Sequence, residues 1–388
     1  MKEYLSKAAW DNEATFVFPE SHGFLMENGL RVFVLERHDI PMVYARAQIR
    51  GGSIYDPVGK EGLAYLTGWV LTEGTESYSE ETLDEVMDQR GAYVTSVAYN
   101  ESCIATLNCL SADIVELFPY FAEILSKASF DDSSLQEGKN YIIGDLMRMN
   151  DDASELCYRR FRYDVFQNHP YAKPHKGNIE SLISCTRDDV LNFYRKYYTP
   201  DQAVLVLVGD VSKSSVESLC EKYLSDWEKA SESLPLINAP LQIVGRKITI
   251  VNKDTVQAQI NIGHIGINRT NPDRFRIEVL NRILGGGGLY TRLAEEVRVK
   301  RGLTYGVYSF FAQREFTGEF AVSTFTKVES CGEAIEVILS ELNRIRDELV
   351  TDDELWDAKQ SLIGSFPLEF EDYEGIAQSL VHMYFYGL

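Results

Sequence analysis

The sequence predicts an α+β protein made of two similar domains, each an antiparallel-rich sheet with helices packed on one face. Three observations carry this prediction. Segments with the two-residue period of strands alternate with segments of helical period. The order of these elements repeats after a polar, proline-containing segment. Two similar phrases, at residues 132–139 and 352–359, stand near the end of the two repeats.

The first repeat is predicted from apolar periodicity and from turn signals such as Asp56-Pro57 and Gly91. Strands are expected at residues 29–36 and 42–50, in a hairpin at 93–98 and 103–109, and in a fully apolar run at 203–208. Helices are expected at residues 61–72, 80–89, 113–127, 133–149 and 187–197.

The segment 231–242 contains Pro235 and Pro240 and is the predicted linker. The domains are therefore expected at 1–230 and 243–388. In the second repeat we expect strands at 247–252 and 257–265, a hairpin at 304–312 and 318–326, and helices at 274–284, 289–299, 331–346 and 352–366. This repeat reaches Leu388 before any counterpart of strand 203–208, so a truncated second domain is expected.

Composition excludes several classes of function. The formal net charge of -21 argues against nucleic-acid binding, which needs a basic surface. It is compatible with basic peptides or a basic partner, and equally with solubility alone. No apolar run is long enough to span a membrane, and residues 1–20 lack a signal-peptide pattern. Six cysteines without metal-type spacing predict free thiols. We expect a cytoplasmic protein, or a periplasmic one if a signal peptide was removed.

Several phrases, in order along nearly the whole chain, carry a resemblance to a known family. They include Gly51-Gly-Ser-Ile-Tyr-Asp-Pro57, Glu61-Gly-Leu-Ala64, Tyr197-Tyr-Thr-Pro200, and Leu284 to Leu293 followed by Lys300-Arg-Gly-Leu-Thr-Tyr305. This set resembles the M16 (pitrilysin-like) metallopeptidases in their short bacterial form. The resemblance implies the duplicated fold of that family and a chemistry directed at peptides.

The family's zinc motif, His-x-x-Glu-His, is degenerate in this sequence. Tyr65 and Trp69 stand at the histidine positions, Gly68 stands at the catalytic glutamate, and Asp145 lies near the position of the third ligand. None of the first three can hold zinc or act as a base at neutral pH. The resemblance therefore implies no metal or other cofactor in this chain and zinc in a partner subunit.

Arg298 and Tyr305 match, in spacing and context, a pair that active members place near the scissile bond. A phenol and a guanidinium can stabilise the oxyanion of a tetrahedral intermediate. The structural alternative is an arginine near a helix end and a tyrosine at a strand start.

A run of four glycines precedes this pair, and it lacks the lysine and hydroxyl residue of a phosphate loop. It is either a loop that touches substrate or a turn that needs positive φ. The candidate substrate-binding residues of the run are Gly285, Gly286, Gly287 and Gly288.

Two further groups have alternative interpretations. Tyr65, Trp69 and Tyr99 form either a peptide-binding surface or a core that fills the former zinc site. His169 and His175 form either a loop metal site or ordinary turn residues, and the latter is favoured because no other ligands accompany them.

We expect a non-catalytic subunit that completes the site of a zinc-bearing M16 partner, with peptides as substrate and no activity alone. The alternatives are an inactive M16-fold scaffold and a peptide-binding homodimer.

Overall fold

The computed structural model describes residues 16–241 and 245–388. The first half contains a six-stranded sheet with the strand order β1-β2-β6-β3-β5-β4. Strand β6 runs parallel to β2 and antiparallel to β3, and the remaining neighbours are antiparallel. The strands are β1 His22–Leu25, β2 Arg31–Glu36, β3 Met42–Ile49, β4 Tyr93–Ala98, β5 Cys103–Leu110 and β6 Ala203–Gly209.

Eight helices of the first half have apolar sides that share a core with one face of this sheet. Phe118 and Phe121 of α3, for example, are fully buried beneath β5. Burial of such rings is a large part of what stabilises the half. The helices are α1 Leu63–Trp69, α2 Glu80–Arg90, α3 Ile114–Ser126, α4 Asp132–Asp151, α5 Ala153–Phe166, α6 Ile179–Ser184, α7 Arg187–Tyr197 and α8 Lys213–Leu224.

The second half repeats the plan in shorter form. Its sheet has the order β7-β9-β8, which matches β3-β5-β4 of the first half, and two helices follow the hairpin in both halves. The internal duplication is therefore present in the topology. The elements are β7 Gln257–Gly266, α9 Arg274–Asn281, β8 Val307–Gln313, β9 Gly318–Lys327, α10 Cys331–Asp347 and α11 Asp352–Ser365.

A last helix, α12 (Tyr373–Tyr386), packs on the second face of the six-stranded sheet. Ile376 and Leu380 lie there against Val204 and Val206, and all four are fully buried. The α+β class is confirmed, but the helices do not all lie on one face. The alternate residues of β6 are apolar on both sides, so both faces of this strand need a cover.

Part-buried and buried charges join the two halves near the tips of the hairpins β4–β5 and β8–β9. Arg50 donates to both carboxylate oxygens of Glu315 at 2.7 and 2.6 Å. The backbone N–H of Glu315 donates to Glu101 at 2.6 Å. Glu319 is fully buried and is bound by Arg314 and by the Tyr158 hydroxyl. Because each buried charge has a partner, the network fixes how the halves meet.

Several predicted boundaries need correction. Residues 247–252 are not a strand, because no described strand pairs with them, and Ile248 and Ile250 are 88% and 80% exposed.

The helix predicted at 61–72 ends as a 3₁₀ turn at Val70–Thr72. The helices at 274–284 and 289–299 contain π-helical segments, Arg282–Gly286 and Ala294–Val299. The mixed sequence of α5 gave no clean period, and this helix was missed.

Three further predictions concern the linker, the cysteines and membrane-spanning segments. Residues 231–241 are outside helices and strands, whereas Gln242 lies outside the described residues, and the domain division stays a prediction. All six cysteines are free thiols. Among residues 16–241 and 245–388, no helix is long and apolar enough to cross a membrane.

Candidate functional site

A cleft of about 380 Å³ opens in the second half beside the glycine run. Two π-helical segments, Arg282–Gly286 and Ala294–Val299, and the start of β8 form its walls. Single π-helical turns are rare and occur frequently at functional sites. The cleft is therefore the candidate binding site of this half. Its lining residues are Gly285, Gly286, Gly288, Leu289, Ala294, Arg298 and residues 306–309.

Glycine is required in the cleft wall for two reasons. A Cβ at Gly285 would lie 2.5 Å from Ser309 Oγ and 2.7 Å from Ser309 N, so only glycine lets this turn approach β8 so closely. Gly288 has φ +77°, a conformation that other residues adopt at a cost. The turn therefore needs glycine at these two positions, and a substrate contact by the glycines that line the cleft stays a prediction.

Gly287 differs from the other three glycines because it does not line the cleft, and its contact with substrate stays a prediction. A Cβ at Gly287 would lie 2.7 Å from the carbonyl oxygen of Arg282 and 3.2 Å from the methyl group of Thr291. The residue therefore packs against the preceding helical turn, and glycine is needed there for close approach. The cleft itself is lined by Gly285, Gly286 and Gly288.

Arg298 lies in the wall of the cleft on the second π-helical segment, and its side chain is half-buried. Within the described chain, no ion pair or hydrogen bond engages its guanidinium. The neighbouring cations differ, because Lys300 and Arg301 both bind Glu296, each at 2.6 Å. Arg298 is thus a cation with unused donors that faces a cavity.

Tyr305 does not line the cleft itself but directly precedes the lining residue Gly306, and Tyr305 is 82% exposed. A turn held by Thr304 presents it: the Thr304 hydroxyl lies 3.0 Å from the Gly306 carbonyl and 3.1 Å from the Gly306 N–H. Thr324 donates to the same carbonyl at 2.8 Å. The sequence analysis missed Thr304 and Thr324, whose roles depend on the turn they stabilise. The structure thus brings three of the four glycines, Arg298 and the neighbour of Tyr305 to one cleft.

The residues predicted to stand at the zinc positions of the family, Tyr65, Gly68, Trp69 and Asp145, lie on α1 and α4 of the first half. The Asp145 carboxylate binds Lys176 and, at 2.8 Å, Arg148. The Lys176 ammonium lies 5.4 Å from the centre of the Tyr65 ring. The bonds from Lys176 hold the pKa of Asp145 below its usual range.

Two glycines shape the packing around α1. A Cβ at Gly68 would lie 2.8 Å from the backbone nitrogen of Ala98, and the Ser96 hydroxyl donates to the Gly68 carbonyl at 2.7 Å. Helix α1 therefore sits directly on strand β4. On the other side, a Cβ at Gly138 of α4 would lie 2.6 Å from the Trp69 ring. The indole thus occupies space that a larger side chain on α4 would fill.

These residues do not fit a zinc ion. Tyr65 and Trp69 offer a neutral phenol and an indole, and the oxygens of Asp145 are already bound by cations. In residues 16–241 and 245–388, no three histidine, cysteine, aspartate or glutamate side chains cluster as a metal site.

The two loop histidines have separate structural surroundings. His169 Nδ1 accepts from the Tyr171 N–H at 3.1 Å and caps the turn Pro170–Ala172. The His175 ring lies between Tyr65 and Tyr99, at centroid distances of 5.4 and 6.3 Å. Burial lowers the pKa of both histidines to about 4. This geometry favours turn residues over a metal site.

Tyr65, Trp69 and Tyr99 do not all fit the same one of the two predicted roles, which were core packing and a peptide-binding surface. Tyr65 and Trp69 are half-buried, and the Trp69 ring lies 5.7 Å from that of Tyr141. They fill space, as the core interpretation predicts. Tyr99 is 49% exposed and keeps one part of its ring accessible, as the surface interpretation predicts.

Comparisons with known protein families cover most of the chain. Residues 31–178 match the family described as insulinase (peptidase family M16). Residues 184–362 match the family described as the peptidase M16 inactive domain. Both matches are to domains of the same peptidase family, and they follow each other in the order that the repeat predicts.

Individual relatives agree with these matches. A Bacillus subtilis protein, named as the uncharacterized zinc protease YmxG, is 24% identical over 90% of this chain and 84% of its own length. A Helicobacter pylori protein, named as a non-peptidase homolog YmxG, is 25% identical over 95% and 85%. The crystal structure of a peptidase M16 inactive domain from Pseudomonas fluorescens is 29% identical, covers 95% of this chain and 88% of that one, and superimposes with a TM-score of 0.89.

Proposed function

This chain belongs to the peptidase M16 family, and we propose that it is a zinc-less subunit that completes the active site of a zinc-bearing M16 partner. The comparisons with the inactive domain and the non-peptidase homologue support an M16 scaffold without peptidase activity of its own. The proposal adds a role for that scaffold. One observation carries it: Arg298 has no partner among the described residues and faces a glycine-lined cleft.

The role follows from what the two side chains can donate. Arg298 offers guanidinium N–H groups, and Tyr305 offers an exposed phenol O–H. Peptide hydrolysis builds negative charge on the carbonyl oxygen, and donors already in position stabilise that charge without reorganising. The partner would supply the zinc and the general base, which the first half of this chain lacks. Arg298 and Tyr305 would hold the peptide and its developing oxyanion.

The charge of the chain suits this role. A formal net charge of -21 attracts basic peptides and opposes self-association. A heterodimer with a less acidic zinc subunit is therefore favoured over a homodimer on electrostatic grounds.

A mixing experiment tests the proposal. Hydrolysis of a fluorogenic basic peptide is measured with this chain alone, with a zinc-bearing M16 protein from the same genome alone, and with both. We expect activity in the mixture only, and its loss with Arg298→Ala. Tyr305→Phe should also lower the activity, and Tyr163→Phe is its control, because Tyr163 is likewise exposed but lies on α5 of the first half.

The scaffold interpretation is the second candidate, and the non-peptidase relative favours it. It predicts that the mixture gains no activity, or that Arg298→Ala and Tyr305→Phe leave the gained activity unchanged. Sedimentation of this chain alone separates a scaffold that dimerises with itself from a monomer awaiting a partner. A stable homodimer that binds peptide without turnover would replace our proposal.

A further inference from the structure

The pocket formed by Tyr65, Trp69 and Asp145, between α1 and α4, contains the ammonium group of a lysine of the same chain. The Lys176 ammonium donates to Asp145 and lies over the Tyr65 ring at 5.4 Å. Asp145 and Tyr65 occupy positions that zinc ligands occupy in M16 peptidases. A positive charge thus already neutralises the carboxylate that would otherwise attract a metal. The side chains of Lys176 and Asp145 are 21% and 20% exposed, so water screens their attraction only in part.

The loop that carries Lys176 is fixed against the start of α1. Lys173 pairs with Glu61 at 2.6 Å. Gly177 has φ +71° and packs so closely on the Glu61 carbonyl that a side chain there would collide. His175, between these anchors, packs between two aromatic rings. The ammonium is therefore held in place by the fold, which reduces the entropy lost when it binds Asp145.

The electrostatics of the pair agree with this geometry. Burial alone would disfavour the charge on Lys176, but the bonds to Asp145 and Tyr65 outweigh it and raise the pKa of Lys176. The same bond holds the pKa of Asp145 below its usual range. Both groups are therefore charged at neutral pH.

We propose that Lys176 is a fixed internal cation that takes the place of a metal ion in this pocket and keeps the first half free of zinc. The ammonium at Asp145, the indole against α4 and the contact of α1 with β4 together leave neither the charge nor the space for a metal. The inference does not depend on a catalytic partner.

Zinc binding by full-length variants tests the inference. Tyr65→His, Trp69→His and Asp145→Glu restore three ligand types while leaving Gly68 in contact with β4. We expect this variant to bind zinc poorly. Adding Lys176→Met to it should raise zinc affinity by about a hundredfold or more, because a fixed like charge is removed from beside the metal. Affinity is measured by competition with a chromophoric chelator, and stoichiometry by mass spectrometry.

Lys173→Met in the same background is the matched control, because Lys173 lies in the same loop but pairs with Glu61. It should leave zinc affinity unchanged. If the ligand-restored variant bound zinc equally well with and without the Lys176→Met substitution, the inference would be overturned. Tight zinc binding by the unmodified chain would overturn it as well.

A second measurement covers the case in which the ligand-restored variants do not fold. Unfolding is compared for the unmodified chain, Lys176→Met, Asp145→Asn and the double variant. We expect the double variant to be more stable than the sum of the single effects predicts, by about tenfold in the unfolding constant. In each single variant one charge of the pair loses its opposite, and Asp145 then has only Arg148, whereas the double variant leaves no such charge. Additive effects would contradict a buried, metal-replacing pair.

Discussion

The pocket between α1 and α4 and the cleft beside the glycine run differ in whether their polar groups are satisfied. In the first half, Asp145 is bound by Lys176 and Arg148, and the rings around it pack on one another. In the second half, the guanidinium of Arg298 has no partner among the described residues. A satisfied site needs no ligand, whereas an open donor set facing a cavity can bind one. The polar groups of the first pocket are therefore satisfied within the chain, whereas the cleft of the second half has a donor free to bind a ligand.

The largest expected effect tests whether the first site is closed. Gly68→Glu, the substitution that would complete the predicted zinc motif, places a side chain where a Cβ alone would lie 2.8 Å from Ala98 N. We expect a loss of about 3 kcal/mol in the free energy of unfolding. Urea titration followed by circular dichroism measures it.

Gly144→Glu is the matched control for Gly68→Glu. Gly144 lies on the exposed side of α4, and a Cβ there meets no atom within 4 Å. It should change stability little. If both substitutions had equally small effects, the contact between α1 and β4 would not close the site.

The next largest expected effect is a loss of stability at acidic pH, caused by His175 in the first half. His175, packed between aromatic rings, has a pKa lowered to about 4, because burial disfavours its charged form. The unfolded chain therefore takes up a proton at this residue below about pH 6.5, whereas the folded chain does so only near pH 4. Stability should fall as the pH drops through this window. His175→Phe should reduce that fall by about 2 to 3 kcal/mol, and urea titrations at a series of pH values measure it.

His38 is the control, because its contribution to stability changes with pH in the opposite direction. His38 hydrogen-bonds Asp210 at 2.6 Å, and this bond raises the pKa of His38. Its stabilising contribution is present at low pH and is lost as the pH rises through its folded pKa. His38→Gln should therefore weaken the protein most at acidic pH. Identical pH profiles for His175→Phe and the unmodified protein would show that the aromatic pocket does not exclude charge.

A smaller effect is expected in the open region. Thr304→Val removes the hydroxyl that bonds both polar groups of Gly306. We expect about 1 kcal/mol of lost stability and a larger fractional loss of activity in the mixture with a zinc-bearing partner, because Tyr305 would no longer be held in place. Thr304→Ser should restore both quantities, and thermal unfolding together with peptide hydrolysis measures them. Equal losses with Ser and Val would assign the effect to packing.

The smallest expected effect is the change in stability on removing Arg301, a cation close to Arg298 that already has a partner. Arg301 is bound to Glu296 at 2.6 Å on the surface, so Arg301→Ala should change the free energy of unfolding by less than about 1 kcal/mol. Thermal unfolding measures this. A large destabilisation would show that the segment after the cleft depends on this ion pair.

The fold was largely predictable because its strands and most helices have clear periods. The hairpin 93–109 and helix α7 occur where the alternation and the caps predict them. Residues 247–252 have the same alternation but lack a neighbouring strand, so the pattern alone was misleading. Helix α12 was missed, and its position on the first sheet depends on contacts across the whole chain.

The candidate site was predictable only in part. Arg298, Tyr305 and the glycine run were chosen from a resemblance, and the structure places Arg298 and three of the glycines in one cleft with the residue after Tyr305. Gly287 was included because it belongs to the run, but a run of identical residues does not reveal which of them faces the cavity. The π-helical turns have no sequence signature that we used.

Lys176 was missed for a different reason. It lies 31 residues from Asp145, and no spacing rule connects a loop lysine with a distant helix. Its role became visible only from the packing.

Steady-state peptide hydrolysis by the mixture of this chain with a zinc-bearing M16 partner tests the central claim most directly, with Arg298→Ala compared against Arg301→Ala. We predict that Arg298→Ala lowers kcat/KM by about a hundredfold or more, because a donor to the developing oxyanion is lost. Arg301→Ala should leave kcat/KM nearly unchanged, because its guanidinium is already engaged by Glu296. Equal kcat/KM values for the two variants would contradict an open, substrate-facing site in the second half.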